Sequence, residues 1–331
     1  MGGMDRTLIA HVDYVTDAEG SPDPIGFLLD ALAQPGSLLL IVIGMVAALV
    51  LLTGWARWRP MEEARDRFSE RAQGYREYLP WIVRLSVGLV LIGSGLAHMR
   101  FMPTLEAGGL FSLLLTATGF LLLLGLAVRP AALVALGAWV VTVVGNPELV
   151  VMLDVAGALG VAAILGPGRP SLDDLLRAAF PRGPGARAAT ENLARGGYDD
   201  IVPLLVRLGL GGAFAASGIV DKLLIYDQAL AAVDRYQLTS VVPVAPELWV
   251  LGAILIETAL GVAIILGVLT RFSAVVGFAV LTLTLFALPD DPVIAHVGLF
   301  GLCSVLVILG GGRWSLDRVL LAPLGERVRR S

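Results

Sequence analysis

The second half of this chain repeats the first, and each half consists almost wholly of apolar stretches long enough to cross a membrane. Arg84-Leu85-Ser86-Val87-Gly88 answers to Arg207-Leu208-Gly209-Leu210-Gly211, Gly125-Leu126-Ala127-Val128-Arg129 to Gly267-Val268-Leu269-Thr270-Arg271, and Ser171-Leu172-Asp173 to Ser315-Leu316-Asp317. The three anchors keep their order, with a loop insertion only in the second copy. Such repetition marks one supersecondary unit used twice. The expected architecture is a pair of like helical bundles.

Composition names the solvent. With 56% hydrophobic and 16% charged residues, the chain falls well below the charged fraction of about 25% typical of soluble domains. Its mean hydropathy is +0.81. The bilayer is therefore the expected partner. A net charge of −4, with most basic residues in connecting loops, speaks against a nucleic-acid-binding face. The single cysteine, Cys303, excludes a disulfide framework, a CxxC pair and a thiolate metal cluster.

A spanning helix needs roughly 20 mostly apolar residues. Nine stretches qualify, near 36–55, 81–99, 107–126, 130–146, 148–166, 201–222, 247–267, 271–288 and 293–311. The fold class is thus all-α and polytopic: an anchor helix followed by two parallel four-helix bundles. Arginine sets the orientation. Arg57, Arg59, Arg65, Arg67, Arg71 and Arg76 follow the first span, Arg169, Arg177, Arg182, Arg187 and Arg195 separate the repeats, and Arg313, Arg318, Arg327, Arg329 and Arg330 close the chain. Alternation through nine spans puts all three groups on one side. That side reads as cytoplasmic, with the N-terminus outside, and the location as the plasma membrane. The first apolar run starts too far from Met1, and has its positive flank on the wrong end, for a cleaved signal peptide.

The chain accordingly divides into an extracytoplasmic leader (1–35), an anchor helix (36–55), a charged cytoplasmic connector (56–79), a first repeat (80–177), a cytoplasmic linker (178–200), a second repeat (201–321) and a basic tail (322–331). In the connector, Glu63, Arg67 and Arg71 at four-residue spacing read as a solvated or membrane-surface helix. The insertion from Leu223 to Pro246 reads as a short surface helix capping one bundle. Gly93, Ser94 and Gly95, with Gly211, Gly212, Ser217 and Gly218, give the first helix of each unit a surface for close packing.

Ionisable side chains inside a membrane are functional candidates whose partners must be named. Glu257 is the deepest, and depth along the helix brings it within reach of Arg207; that pair serves equally as a structural clamp. The first repeat keeps Arg84 but places Leu115 opposite, so Arg84 is expected to snorkel to the headgroups. When the repeats are superposed, His98 falls on Asp221 and Asp154 on His296. Each bundle then gains one His/Asp pair, His98 with Asp154 and Asp221 with His296. A carboxylate beside an imidazole suits proton relay near neutral pH, and suits structural neutralisation of two buried groups equally well. These four residues are the catalytic candidates. With three histidines and no HExxH motif, no metal is expected. A P-loop, a nucleophile elbow and a dinucleotide fingerprint are also missing from the sequence.

Certain residues resemble the pattern of the DoxX family, small four-helix membrane proteins that include a subunit of thiosulfate:quinone oxidoreductase. In the second repeat these are Arg207, Phe214, Gly218 and Lys222, then Glu257, Gly261 and Gly267, then Thr270-Arg271 and Gly310-Gly311-Gly312-Arg313-Trp314-Ser315-Leu316-Asp317. In the first repeat Arg84, Gly95, Gly119, Gly125, Arg129 and Gly166-Pro167-Gly168-Arg169-Pro170-Ser171-Leu172-Asp173 match, but Met99 stands in the lysine position and Leu115 in the glutamate position. The resemblance implies a membrane subunit of a quinone-linked oxidoreductase, with quinone as cofactor, a protein partner in the membrane, and Arg84, Arg207, Lys222 and Glu257 as cofactor-binding candidates. The alternative is a non-catalytic scaffold or assembly subunit. A carrier for a small solute is disfavoured because no span is broken at mid-depth.

Overall fold

The computed structural model describes residues 23–57, 59–179, 200–289 and 293–321. Most of the leader (1–22), Trp58, the linker over 180–199, the residues 290–292 and the tail (322–331) lie outside the described residues, and with them much of the charge used to orient the chain.

Helix α1 (Pro24–Ala33) starts where the Asp23 carboxylate accepts the N–H of Gly26 at 2.8 Å, with Pro24 at the first helical position. The chain bends by 86° into α2 (Ser37–Arg57), and α3 (Arg59–Gln73) follows. The first repeat comprises α4 (Leu79–Leu96), a hairpin of β1 (Met99–Arg100) and β2 (Met102–Glu106), α5 (Gly109–Leu124), α6 (Val128–Gly145), a 3₁₀ segment (Pro147–Met152) running into α7 (Leu153–Leu165), and α8 (Leu172–Ala179). The second comprises α9 (Ile201–Ala216) continuing as a π-helix (Ser217–Leu224), α10 (Tyr226–Arg235), α11 (Leu238–Val241), α12 (Pro246–Leu266), α13 (Thr270–Ala287), α14 (Val293–Leu309) and a terminal π-turn (Asp317–Leu321). The described chain is therefore nearly all helical.

All nine expected spans fall on helices. Among the described residues, however, six helices are long and apolar enough to cross a membrane, or seven if the bent α1–α2 pair is one span. The shortfall lies in α5 and α14, of 16 and 17 residues. Apolar residues that extend the stretch in sequence are used in turns: Gly108 is extended and Gly125 is left-handed at φ 70°, so α5 stops short of its hydrophobic flanks.

Within each repeat the first helix packs most extensively on the second, α4 on α5 and α9 on α12. Small residues permit it. A Cβ on Gly119 would lie 2.8 Å from the Gly88 carbonyl oxygen, and one on Gly211 would lie 2.6 Å from that of Gly261, so larger residues would force these helices apart. Between repeats, α4 packs on α14 and α9 on α7, each first helix meeting the other unit's fourth. Gly157 and Gly209 form one crossing, where an added Cβ would lie 2.9 Å from the facing Cα; Ser86 and Gly301 form the corresponding one. A continuous core of Val87, Leu91, Leu159, Leu210, Leu302 and Leu306 runs across both units.

The ends of the molecule differ. At one end the β-hairpin tucks Phe101 and Met102 into the first bundle. At the same end, α1, α10 and the start of α12 enclose a second apolar cluster around Phe27, Val233, Leu248 and Leu251, with Phe27 stacked on Tyr226 at 4.2 Å. This is the cap end, and the Leu223–Pro246 insertion forms the expected capping helices there. The opposite arginine end carries Arg84 and Arg207. There α3 rests on α14, and the Arg271 guanidinium lies 5.7 Å from the Phe68 ring.

Candidate functional site

The turns at the arginine end follow one plan in both repeats. Gly125 and Gly267 end α5 and α12 in left-handed conformation, at φ 70° and 69°. Only glycine adopts this freely, and a Cβ at Gly125 would strike the Arg84 guanidinium. Ala127 and Leu269 are also left-handed, and their N–H groups need acceptors at the start of the next helix. Asp173 and Asp317 supply them: the Asp173 carboxylate accepts the Ala127 N–H at 3.1 Å, and that of Asp317 accepts the N–H groups of Leu269 and Thr270 at 2.6 and 2.8 Å. The repeated Ser-Leu-Asp is thus a helix cap delivered from far along the chain. Its recurrence in sequence was the available signal for this role.

Arg84 and Arg207 complete these turns. Arg84, only 1% exposed, donates from Nε to the Pro80 carbonyl at 3.3 Å and from Nη2 to that of Pro170 at 2.6 Å. It does not snorkel to the headgroups as expected, because the carbonyls of Pro80, of Leu122 near the end of α5 and of Pro170 just before α8 hold it inside. Arg207 donates from Nε to Ile264 at 3.1 Å, from Nη1 to Gly311 at 3.0 Å and from Nη2 to Ile265. The expected Arg207–Glu257 pair is not formed. Glu257 lies a further seven residues along α12 from Ile264, roughly 11 Å at the helical rise, and the helix-end carbonyls meet Arg207 first.

Glu257 instead pairs with Lys222. Lys222 Nζ lies 2.7 Å from Glu257 Oε2, with both side chains largely buried. Lys222 also donates to Ser217 Oγ at 3.1 Å, and Ser217 Oγ donates to the fully buried Asp221 at 3.2 Å. These groups gather where α9 becomes a π-helix. The extra residue per turn characteristic of that geometry frequently marks functional positions. Gly218 faces Thr258 of α12 so closely that an added Cβ would lie 3.0 Å from its amide nitrogen. Asp221, Lys222 and Glu257 are therefore brought together, and Ser217 joins them. Sequence reasoning assigned Ser217 only to packing.

The His/Asp pairing fares differently. His98 is exposed at φ 55° and its Nδ1 bonds Ser112 Oγ at 3.1 Å. Asp154 is 2% exposed, and the expected His98–Asp154 pair is not formed. The supposed exchange of residue types rests on a register two residues out in the fourth helix. Arg129 reaches the Ile164 carbonyl and Arg271 that of Ile308, and Gly166 answers to Gly310. Asp154 then corresponds to Gly298, and His296 to Met152. Asp154 and Gly298 in fact face each other between the repeats: a Cβ on Gly298 would lie 2.7 Å from Asp154 Oδ2. Asp221 and His296 are both buried in the second repeat.

No group of three or more His, Cys, Asp or Glu side chains suited to a metal occurs among the described residues. What fold and polar interior define together is a polytopic helical membrane protein with an ion-paired network at one end of its second bundle. Residues 202–290, from α9 to the turn after α13, match the model of the DoxX family. This segment is DoxX-like and contains Arg207, Lys222 and Glu257. No curated protein and no solved structure matches the chain.

Proposed function

We propose that the protein is the membrane subunit of a quinone-linked oxidoreductase, built from two copies of one DoxX-like unit, with its quinone site at the Lys222–Glu257 network of the second. The observation that carries this reading is the buried ion pair joined to Ser217 and Asp221 at the end of a span. Intramembrane charge is expensive and tends to be functional. The donor set suits the group: Lys222 and Ser217 bring N–H and O–H donors of the kind a quinone carbonyl accepts, while Glu257 and Asp221 are carboxylates able to hold a proton. Quinone, when bound, supplies two-electron, two-proton redox chemistry; electrons would come from a redox partner docked on the cap end. With that end outside the plasma membrane and the arginine end cytoplasmic, the site lies near the outer leaflet. The first repeat, with Met99 and Leu115 in place of the lysine and glutamate, would be a structural half.

The scaffold alternative draws support from Arg84 and Arg207, whose hydrogen bonds all go to backbone carbonyls. Purification with native lipid, followed by extraction and identification of quinone, separates the readings. Lys222→Met and Glu257→Gln should each strip quinone from protein that still elutes as a single species. Undiminished quinone in both, or none in the native protein, sinks the oxidoreductase reading.

A further inference from the structure

Each repeat ends at the arginine end with a short helix bearing apolar side chains that no other part of the described structure covers. In α8 the sequence Leu172-Asp173-Asp174-Leu175-Leu176-Arg177-Ala178-Ala179 puts Leu172, Leu175, Leu176 and Ala179 on one face and Asp173 and Asp174 on the other. Asp173 ties the start of this helix to the turn before α6, and Asp174 pairs with Arg169 at 3.3 Å. Leu175 is nevertheless 66% exposed, and Leu176 is exposed beside it. At the end of the second repeat Val319 takes the position of Leu175 and is 56% exposed, with Trp314 53% exposed and Arg313 and Arg318 alongside.

Two features say what covers these faces. Both helices are pinned by their aspartates to the turns that end membrane-spanning helices, so they start at the depth where acyl chains give way to headgroups. Both also carry the pattern of an interfacial element, with apolar residues on one side, arginines at the rim and, in the second, an exposed tryptophan. We infer that α8 and the Asp317–Leu321 turn lie in the membrane plane as a pair of interfacial anchors, with Leu175, Leu176 and Val319 immersed and Arg169, Arg313 and Arg318 against anionic phospholipid headgroups. Cationic side chains near such a surface are each worth about a fivefold gain in binding, the equivalent of about 1 kcal/mol.

The test uses the full chain in a Cys303→Ala background, reconstituted into vesicles of phosphatidylcholine with phosphatidylglycerol, with an environment-sensitive fluorophore on Leu175→Cys, Val319→Cys or Asp174→Cys. Phospholipid spin-labelled near the headgroup should quench the first two probes while aqueous iodide should not; the Asp174→Cys probe should show the reverse. Leu175→Cys and Val319→Cys probes quenched by iodide and untouched by lipid would overturn the proposal, as would shielding from both quenchers, which marks a protein-covered face. A second measurement does not depend on labelling. Phosphatidylglycerol should raise the thermal stability of the native chain over pure phosphatidylcholine, and Arg313→Gln with Arg318→Gln should remove most of that rise. Equal response in both chains overturns the headgroup contact.

Discussion

Lys222 is the only lysine in the chain, and its partner is the largely buried Glu257 of α12. Removing one member of a buried pair leaves an uncompensated charge, whereas removing both leaves an apolar gap. Lys222→Met and Glu257→Leu should therefore each lower stability by about 3–5 kcal/mol, and the double variant should lose less than either sum predicts. Thermal unfolding in detergent measures this cycle, and strictly additive losses would show that the two do not interact. Arg207 and Glu257, by contrast, should now prove additive, since each has other partners. Arg207→Met should cost about 1.5–3 kcal/mol per charged hydrogen bond that no water replaces. Arg84→Met should behave likewise, because its side chain is equally enclosed.

At the level of elements, close helix crossings are set by glycine, and the contact of α14 with α7 tests whether that space is occupied. Gly298→Ala gains roughly 1 kcal/mol of helix propensity. It also puts a methyl carbon 2.7 Å from Asp154 Oδ2, and overpacking of this kind costs about 1–3 kcal/mol. The net effect should be a loss of stability, relieved in an Asp154→Ala background where the carboxylate is gone. The same loss in both backgrounds would mean that something other than Asp154 fills the gap. The crossing of α7 with α9 should be less forgiving: at Gly157 the facing atom is the Gly209 Cα, and backbone cannot swing aside. Gly157→Val should separate the repeats locally and lower the unfolding temperature more than Gly298→Ala does.

For the whole molecule, the remaining question is which end faces the cytoplasm. The arginine-rich linker and tail argue for the arginine end. With Cys303→Ala as background, single cysteines in the 223–246 insertion should react with an impermeant thiol reagent in sealed cells, and cysteines in the 178–200 linker should not. The opposite pattern would invert the molecule and move the Lys222 network to the other leaflet. The two repeats share their turns at the arginine end, but only the second carries a helical cap over its far end, where the first has a hairpin. A docking partner at the cap end would thus meet two dissimilar bundles.

The sequence by itself located most of the long helices, because spanning length, glycine, proline and charge act locally: α9 starts at the predicted residue and α6, α12 and α13 within two of theirs, while the leader helix α1 and the β1–β2 hairpin went unforeseen. It also marked Lys222 and Glu257 through their resemblance to a known pattern. Only the tertiary structure decided partners. Depth along a helix can be counted from residue numbers, but the carbonyls that reach Arg207 first belong to a helix end whose direction is set by a left-handed glycine. The His98–Asp154 expectation failed because it rested on superposing fourth helices whose registers differ by two residues, more than half a turn. Asp154 faces Gly298 across the repeats, a contact that has no trace in local sequence.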